Sequence, residues 1–203
     1  HRIARRQRQM CIRDRSAYNT TVIGHSETGL PIYRICVGAG KTKVLMWSQM
    51  HGNESTTTKS VFDLLRFLQS DKSLLETLQL SIIPILNPDG AKSYNRLNAN
   101  QVDLNRDAID LSQVESRILR KEFDEFSPDY AFNLHDQRTI FGVEAKPATL
   151  SLLAPALDKE RSFNDCRTKA AQLAASVFQG FQSSSIAAQI GRFDDQFNPN
   201  CVG

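Results

Sequence analysis

The 203-residue chain is 40% hydrophobic and 23% charged, an ordinary balance for a soluble globular protein with room for one substantial core. No run approaches the roughly 18 apolar residues of a membrane span, and no charged–apolar–small-residue signal peptide is visible. The net charge of +3 is concentrated at the start, leaving nineteen basic against twenty-one acidic residues after position 15. The body is therefore close to neutral, and neither a nucleic acid nor a membrane is an expected partner.

In chain order, residues 1–15 (HRIARRQRQMCIRDR) carry six arginines and one aspartate. This stretch resembles translated adapter sequence and is read as a disordered or foreign basic arm, set apart from a domain over 16–203. "TVIGHSETGLPIYRICVG" has two strand-like halves around a turn at Thr28-Gly29. "TKVLMWSQ" reads as a short buried strand. "STTTKSVFDLLRFLQS" places Val61, Leu64, Leu65 and Leu68 at helical spacing, with Ser55 or Thr56 as N-cap. "LQLSIIPILNPDG" is a second buried strand stopping in a turn. "QVESRILRKEFDEF" is an amphipathic helix with mixed charge on its outer face. "DYAFNLHDQ" is a third strand, "RTKAAQLAASVFQGF" a last clear helix, and "SSIAAQI" a further strand.

Strands and helices alternate, which predicts an α/β protein, a three-layer αβα sandwich around a central mixed, largely parallel sheet. In such sheets ligands gather beyond the carboxyl ends of the strands. Three predicted strands end in "QMHGNE", "NPDG" and "NLHDQ", so the chemically interesting side chains converge on one sheet edge. The four cysteines, Cys11, Cys36, Cys166 and Cys201, form no CxxC pair and are read as unpaired thiols, which leans the localisation towards the cytoplasm.

His51 and Glu54 stand three residues apart at a strand-to-helix junction, and His135 ends a distant strand. Two histidines and a glutamate form a catalytic zinc set, with the fourth position left for water. The alternative is a polar turn leading to a helix, with His135 hydrogen-bonded to a neighbour. The segment "NPDGAKSYNRLNANQVDLNRD" then packs Arg96, Asn98, Asp103, Asn105 and Arg106 into a loop of low hydrophobicity. Such loops are often merely solvated, but an arginine aimed at an active site can clamp a carboxylate or steady an oxyanion.

"HGNE", "NPDG", "R-x-N…VDLNRD" and "NLHDQ", in this order, resemble the zinc metallocarboxypeptidase family across roughly residues 20–203. The resemblance implies that His51, Glu54 and His135 bind one zinc ion and that Asp103 accepts the second ring proton of His51. It implies that Arg96 polarises the scissile carbonyl, that Asn105 and Arg106 grip the substrate's terminal carboxylate, and that Asn87, Pro88, Asp89 and Gly90 are structural. The expected substrate is a peptide, or an N-acyl amino acid, with a free carboxylate. Alternatives to the peptidase are an amide deacylase of the aspartoacylase and succinylglutamate desuccinylase type, and a non-catalytic binding module. "NPDG" and the lack of "FPG" after "NRD" favour the peptidase.

The sequence departs from the family pattern in its proton carrier. The family's general base is a glutamate on a late strand, whereas only Glu144 and Glu160 follow His135, and both read as surface residues. The expectation is a frame truncated before the catalytic glutamate and its strand, able to bind zinc and with little or no peptidase activity. No tyrosine follows Tyr130, so the family's substrate-capping tyrosine has no counterpart either.

Overall fold

The computed structural model describes residues 18–136, 142–143, 146–148, 150–154, 156, 158–182 and 190–193. The basic stretch 1–15, Cys11, Glu144 and Cys201 lie outside the described residues, as does all of "SSIAAQI" except Ile190. The chain divides into one unit running to Asp136 and a second from Gln137 to Cys201.

In the first unit, β1 (Asn19–His25) and β2 (Pro31–Val37) form an antiparallel hairpin. Its turn passes through Gly29 at φ 82°, a conformation open to a residue without Cβ. There follow β3 (Thr42–Ser48), α1 (Thr56–Ser70), β4 (Leu78–Ile83), α2 (Pro88–Ser93), α3 (Val114–Phe126) and β5 (Tyr130–Leu134). The sheet order is β1-β2-β4-β3-β5. Strands β4, β3 and β5 run parallel, joined by helical crossovers, and the hairpin adds antiparallel strands on one side. The sheet is thus mixed, as the alternating pattern implies, with its antiparallel part set by the short five-residue connection between β1 and β2.

Side chains alternate across the sheet, because successive strand residues face opposite ways. Val44, Leu80, Ile82 and Ile35 pack against Val61, Phe62, Leu65 and Leu68 of α1. Leu45, Trp47, Ile83 and Ile32 face the other way, against Leu119 of α3 and Leu104. Helix, sheet and helix give three layers, and the strand ends that carry the sequence motifs project from one edge.

The N-cap residue of α1 is Ser55, one of the two expected, although its side chain makes no capping hydrogen bond. Two local features differ from the expectations. The "NPDG" turn is the start of a short helix, α2, because Pro88 fits the first helical turn and the Asn87 side chain accepts from the Gly90 amide at 2.8 Å. Helix α3 buries charge as well as displaying it, since Glu115 and Glu122 are both buried. Glu122 accepts from Arg34 Nη1 at 3.1 Å and from the Ser81 hydroxyl at 2.7 Å, so a polar clasp ties α3 to β2 and β4. Such a pair adds more to register than to net stability.

Among the described residues, the second unit holds two small sheets and a helix. Strand β6 (Gly142–Val143) pairs antiparallel with β7 (Lys146–Pro147), and β8 (Leu150–Leu153) precedes α4 (Asp165–Gln182). Strand β9 (Ile190–Phe193) runs parallel to β8. Cys36 and Cys166 are free thiols, and Glu160 is exposed. No helix among the described residues is long and apolar enough to cross a membrane.

Candidate metal centre

The loop after β3 is shaped by buried hydrogen bonds. Gln49 takes φ 51°, and its side-chain amide donates to the Gly52 carbonyl at 2.7 Å while accepting from the Thr58 hydroxyl at 3.0 Å. The segment leading into α2 supports the same loop. The amides of Leu86 and Asn87 donate to the carbonyls of Ser48 and Gln49, and Asn87 Nδ2 donates to the Met50 carbonyl at 3.2 Å. Gly52 lies so close to α2 that a Cβ there would stand 1.9 Å from the Gly90 carbonyl carbon. "HGNE" and "NPDG" are therefore two halves of one packed corner, and Asn87, Pro88, Asp89 and Gly90 serve as its scaffold.

That corner brings His51, Glu54 and His135 together. His51 is 2% exposed, and its Nδ1 lies 2.8 Å from Glu54 Oε1. His135, delivered by the end of β5, places its Nδ1 2.8 Å from Glu54 Oε2. The two rings stand with centroids 4.7 Å apart, and one donor atom from each of the three residues lies within 4.8 Å of the others. Among the described residues His135 Nε2 is buried without a hydrogen-bond partner, so Nδ1 is the nitrogen its surroundings engage.

Asp103 joins this cluster to the arginine loop. Its Oδ1 accepts from His51 Nε2 at 3.0 Å and from the Asn105 amide at 2.9 Å. Its Oδ2 accepts from Arg96 Nε at 3.1 Å and Nη2 at 2.9 Å. Arg96 Nη1 reaches to 3.5 Å from Glu54 Oε1. Arg106 is exposed and turns its Nη1 back to the Asn105 carbonyl at 2.7 Å, while Asn105 Oδ1 receives Asn133 Nδ2 at 3.5 Å. Of the expected site residues, His51, Glu54, His135, Asp103 and Arg96 form one connected cluster, with Asn105 and Arg106 at its margin.

The charges follow from these contacts. Burial pushes the Glu54 carboxyl up, but hydrogen bonds from His135 and His51 outweigh it and hold the group well below the usual carboxylate range. Burial likewise opposes ionisation of Asp103, and hydrogen bonds from His51 and Arg96 overcome it. Burial disfavours the His51 cation, yet the Asp103 and Glu54 carboxylates raise its pKa above the ordinary value.

The donor set fits a divalent cation. An ionised carboxylate only accepts, so His51 must present a proton to Asp103 from Nε2, and a second positive partner to Glu54 from Nδ1. His135 Nδ1 must likewise present a proton, which the neutral Nδ1–H tautomer supplies. The two contacts on Glu54 therefore need either one extra proton, on His51, or one metal ion, and two nitrogens with a carboxylate are a zinc donor set. The Asp103 carboxylate on the far side of His51 stands where an outer partner would fix the tautomer of a metal-binding imidazole.

Two contributors are absent from the sequence expectations. Asp136 accepts from the Thr56 amide at 2.9 Å and the Thr57 amide at 3.2 Å, capping α1 from 80 residues away, and its own amide donates to Glu54 Oε2 at 3.2 Å. Asn133 is the second. The available signal was position: both flank a strand-end histidine already suspected as a ligand.

Comparison with known proteins agrees with this geometry. The model of the family described as zinc carboxypeptidase matches residues 8–138. The chain is 34% identical over 100 residues to Carboxypeptidase 2 of Trichophyton tonsurans, covering 46% of this chain and 19% of that protein. Among solved structures, the metallo-carboxypeptidase of Pseudomonas aeruginosa, in complex with (2-guanidinoethylmercapto)succinic acid, superposes with a TM-score of 0.72 at 20% identity, over 97% of this chain and 54% of that one. Carboxypeptidase A of Helicoverpa armigera gives 0.70 at 15% identity, over 93% and 55%. At these identities the structural likeness shows the fold. The chain spans about one fifth of the curated relatives' length and about half of these solved structures. The family model covers more than half of the chain and contains all three residues that could hold a metal ion. The chain belongs to the zinc carboxypeptidase family.

Proposed function

We propose that His51, Glu54 and His135 hold one zinc ion, and that the chain carries the metal and substrate-carboxylate sites of a hydrolase that removes the C-terminal residue of a peptide. The observation behind this reading is the convergence of both imidazole Nδ1 atoms on the Glu54 carboxylate, 2.8 Å on each side. Bound there, zinc would acidify a water molecule and draw electron density from a carbonyl oxygen. Asp103 keeps the proton of His51 on Nε2, leaving Nδ1 free as a donor atom. Arg96 is held by two bonds to Asp103 Oδ2 beside the cluster, a fixed positive group where negative charge develops on the substrate. Asn105 and Arg106 bind the terminal carboxylate through amide and guanidinium N–H groups.

Proton transfer to the leaving amine calls for a further carboxylate. Glu160 is exposed, and neither it nor Glu144 is assigned that task. Hydrolysis by this 203-residue chain is accordingly expected to be weak, about 10²–10⁴-fold below that of an enzyme with its base.

Binding of a blocked peptide with a free C-terminal carboxylate to the zinc-loaded chain, against the same peptide as its amide, tests the reading. Preference for the free acid, lost in Asn105→Ala and Arg106→Ala, is expected. Equal binding of acid and amide contradicts the carboxylate grip. Release of an acyl group from an N-acyl amino acid, without cleavage of a dipeptide, would favour the deacylase.

A further inference from the structure

We infer that Asp136 is a positioning residue for the metal site, a clasp that sets His135 against Glu54; the inference rests on the zinc reading above. Strand β5 pairs with β3 up to the Ser48↔Leu134 position, and His135 is the first residue past that ladder. Its partner Glu54 stands at the other end of a loop that has also left the sheet. Strand pairing therefore fixes neither ligand directly, and the gap between them is set by whatever joins residue 136 to the start of α1.

Asp136 makes that join. Its Oδ1 accepts from the amides of Thr56 and Thr57, two of the N–H groups that a helix leaves without internal partners. Ser55, the local N-cap residue, makes no side-chain bond to them, and no acidic residue lies in the first turn of α1. The carboxylate that complements the helix terminus thus comes from the neighbour of His135. The Asp136 amide closes the circuit by donating to Glu54 Oε2 at 3.2 Å, and the Thr57 hydroxyl donates to the Leu134 carbonyl at 3.3 Å. One residue holds the helix that follows Glu54, the carboxylate of Glu54 and the backbone of His135. The register between the two ligand-bearing segments depends on it.

Both helix amides reach Oδ1, and the Thr56 amide also reaches Oδ2 at 3.2 Å, so asparagine with its oxygen at the Oδ1 position keeps a bond to each amide and loses only the second contact and the charge, whereas alanine loses all of them. Zinc affinity, measured by competition with a chelator, is compared for wild type, Asp136→Ala, Asp136→Asn and His135→Ala. The expected result is a loss of about 10–100-fold in Asp136→Ala, as for other partners that orient a ligand, with most of it recovered in Asp136→Asn. Wild-type affinity in a folded Asp136→Ala, with His135→Ala weakened, overturns the clasp and leaves the metal site standing. Wild-type affinity in His135→Ala overturns the metal reading and the clasp with it. Amide exchange of the wild-type chain gives a test that needs no variant: protection at Thr56 and Thr57 without metal, deepened by zinc, is expected. Fast exchange at both amides in both states overturns the clasp.

Discussion

Two carboxylate sites of the first unit, one of Glu54 with the half-buried Asp103 and one of Glu115, differ in their partners. Glu54 and Asp103 face imidazole nitrogens and a guanidinium, and both are held far below the usual carboxylate range. Glu115, at the start of α3, faces neutral donors, Asn98 Nδ2 at 3.2 Å and the Glu27 amide at 3.4 Å, and burial pushes its pKa up. A carboxylate that stays charged inside the fold beside imidazole nitrogens is ready to share a cation. Glu115 ties a loop to a helix through amides alone, and burial makes its charge a burden to the folded state.

Breaking the first group should have the largest consequence. Glu54→Gln removes the charge between the two imidazoles, and zinc affinity should fall by more than about 100-fold, beyond the range for partners that only orient a ligand. Chelator competition on the folded variant checks this. Asp103→Ala releases the His51 tautomer and the anchor of Arg96 together, and should weaken zinc binding by about 10–100-fold in the same assay. The second group should respond to pH instead. Because the folded pKa of Glu115 is raised, the native state binds its proton more tightly than the unfolded chain, and stability falls as pH rises from the ordinary glutamate value through the raised one. Glu115→Gln carries no such charge, so its melting temperature relative to wild type should be more favourable at pH 7 than at pH 4, with zinc affinity unchanged. The smallest effect belongs to charge in neither group. Lys121 and Glu125 pair at 3.7 Å on the exposed face of α3, and Lys121→Ala should leave stability within about 0.5 kcal/mol of wild type by thermal melting.

The same contrast explains what could be read from the sequence. Helix α1 announces itself because Val61, Leu65 and Leu68 recur at helical spacing and do point into the core. On α3 the periodicity locates the helix, but nothing local distinguishes the buried Glu115 and Glu122 from solvated charges, since their partners Asn98, Arg34 and Ser81 are distant in the chain. The ligand candidates were legible as residue types at strand ends. Their convergence on one carboxylate, and the part Asp136 takes in it, depends on pairing between segments some 80 residues apart, which no local pattern encodes. The helix at Pro88 was missed for a smaller reason: proline, aspartate and glycine signal a turn and also the first turn of a helix.

Zinc titration of the purified chain, beside His135→Ala, tests the central claim most directly. The account predicts near-stoichiometric binding that weakens sharply in the variant, because the loop after β3 and the end of β5 meet around one ion. Equal, weak binding by both proteins, each shown to be folded, would contradict it and leave His51 and Glu54 as a buried polar turn.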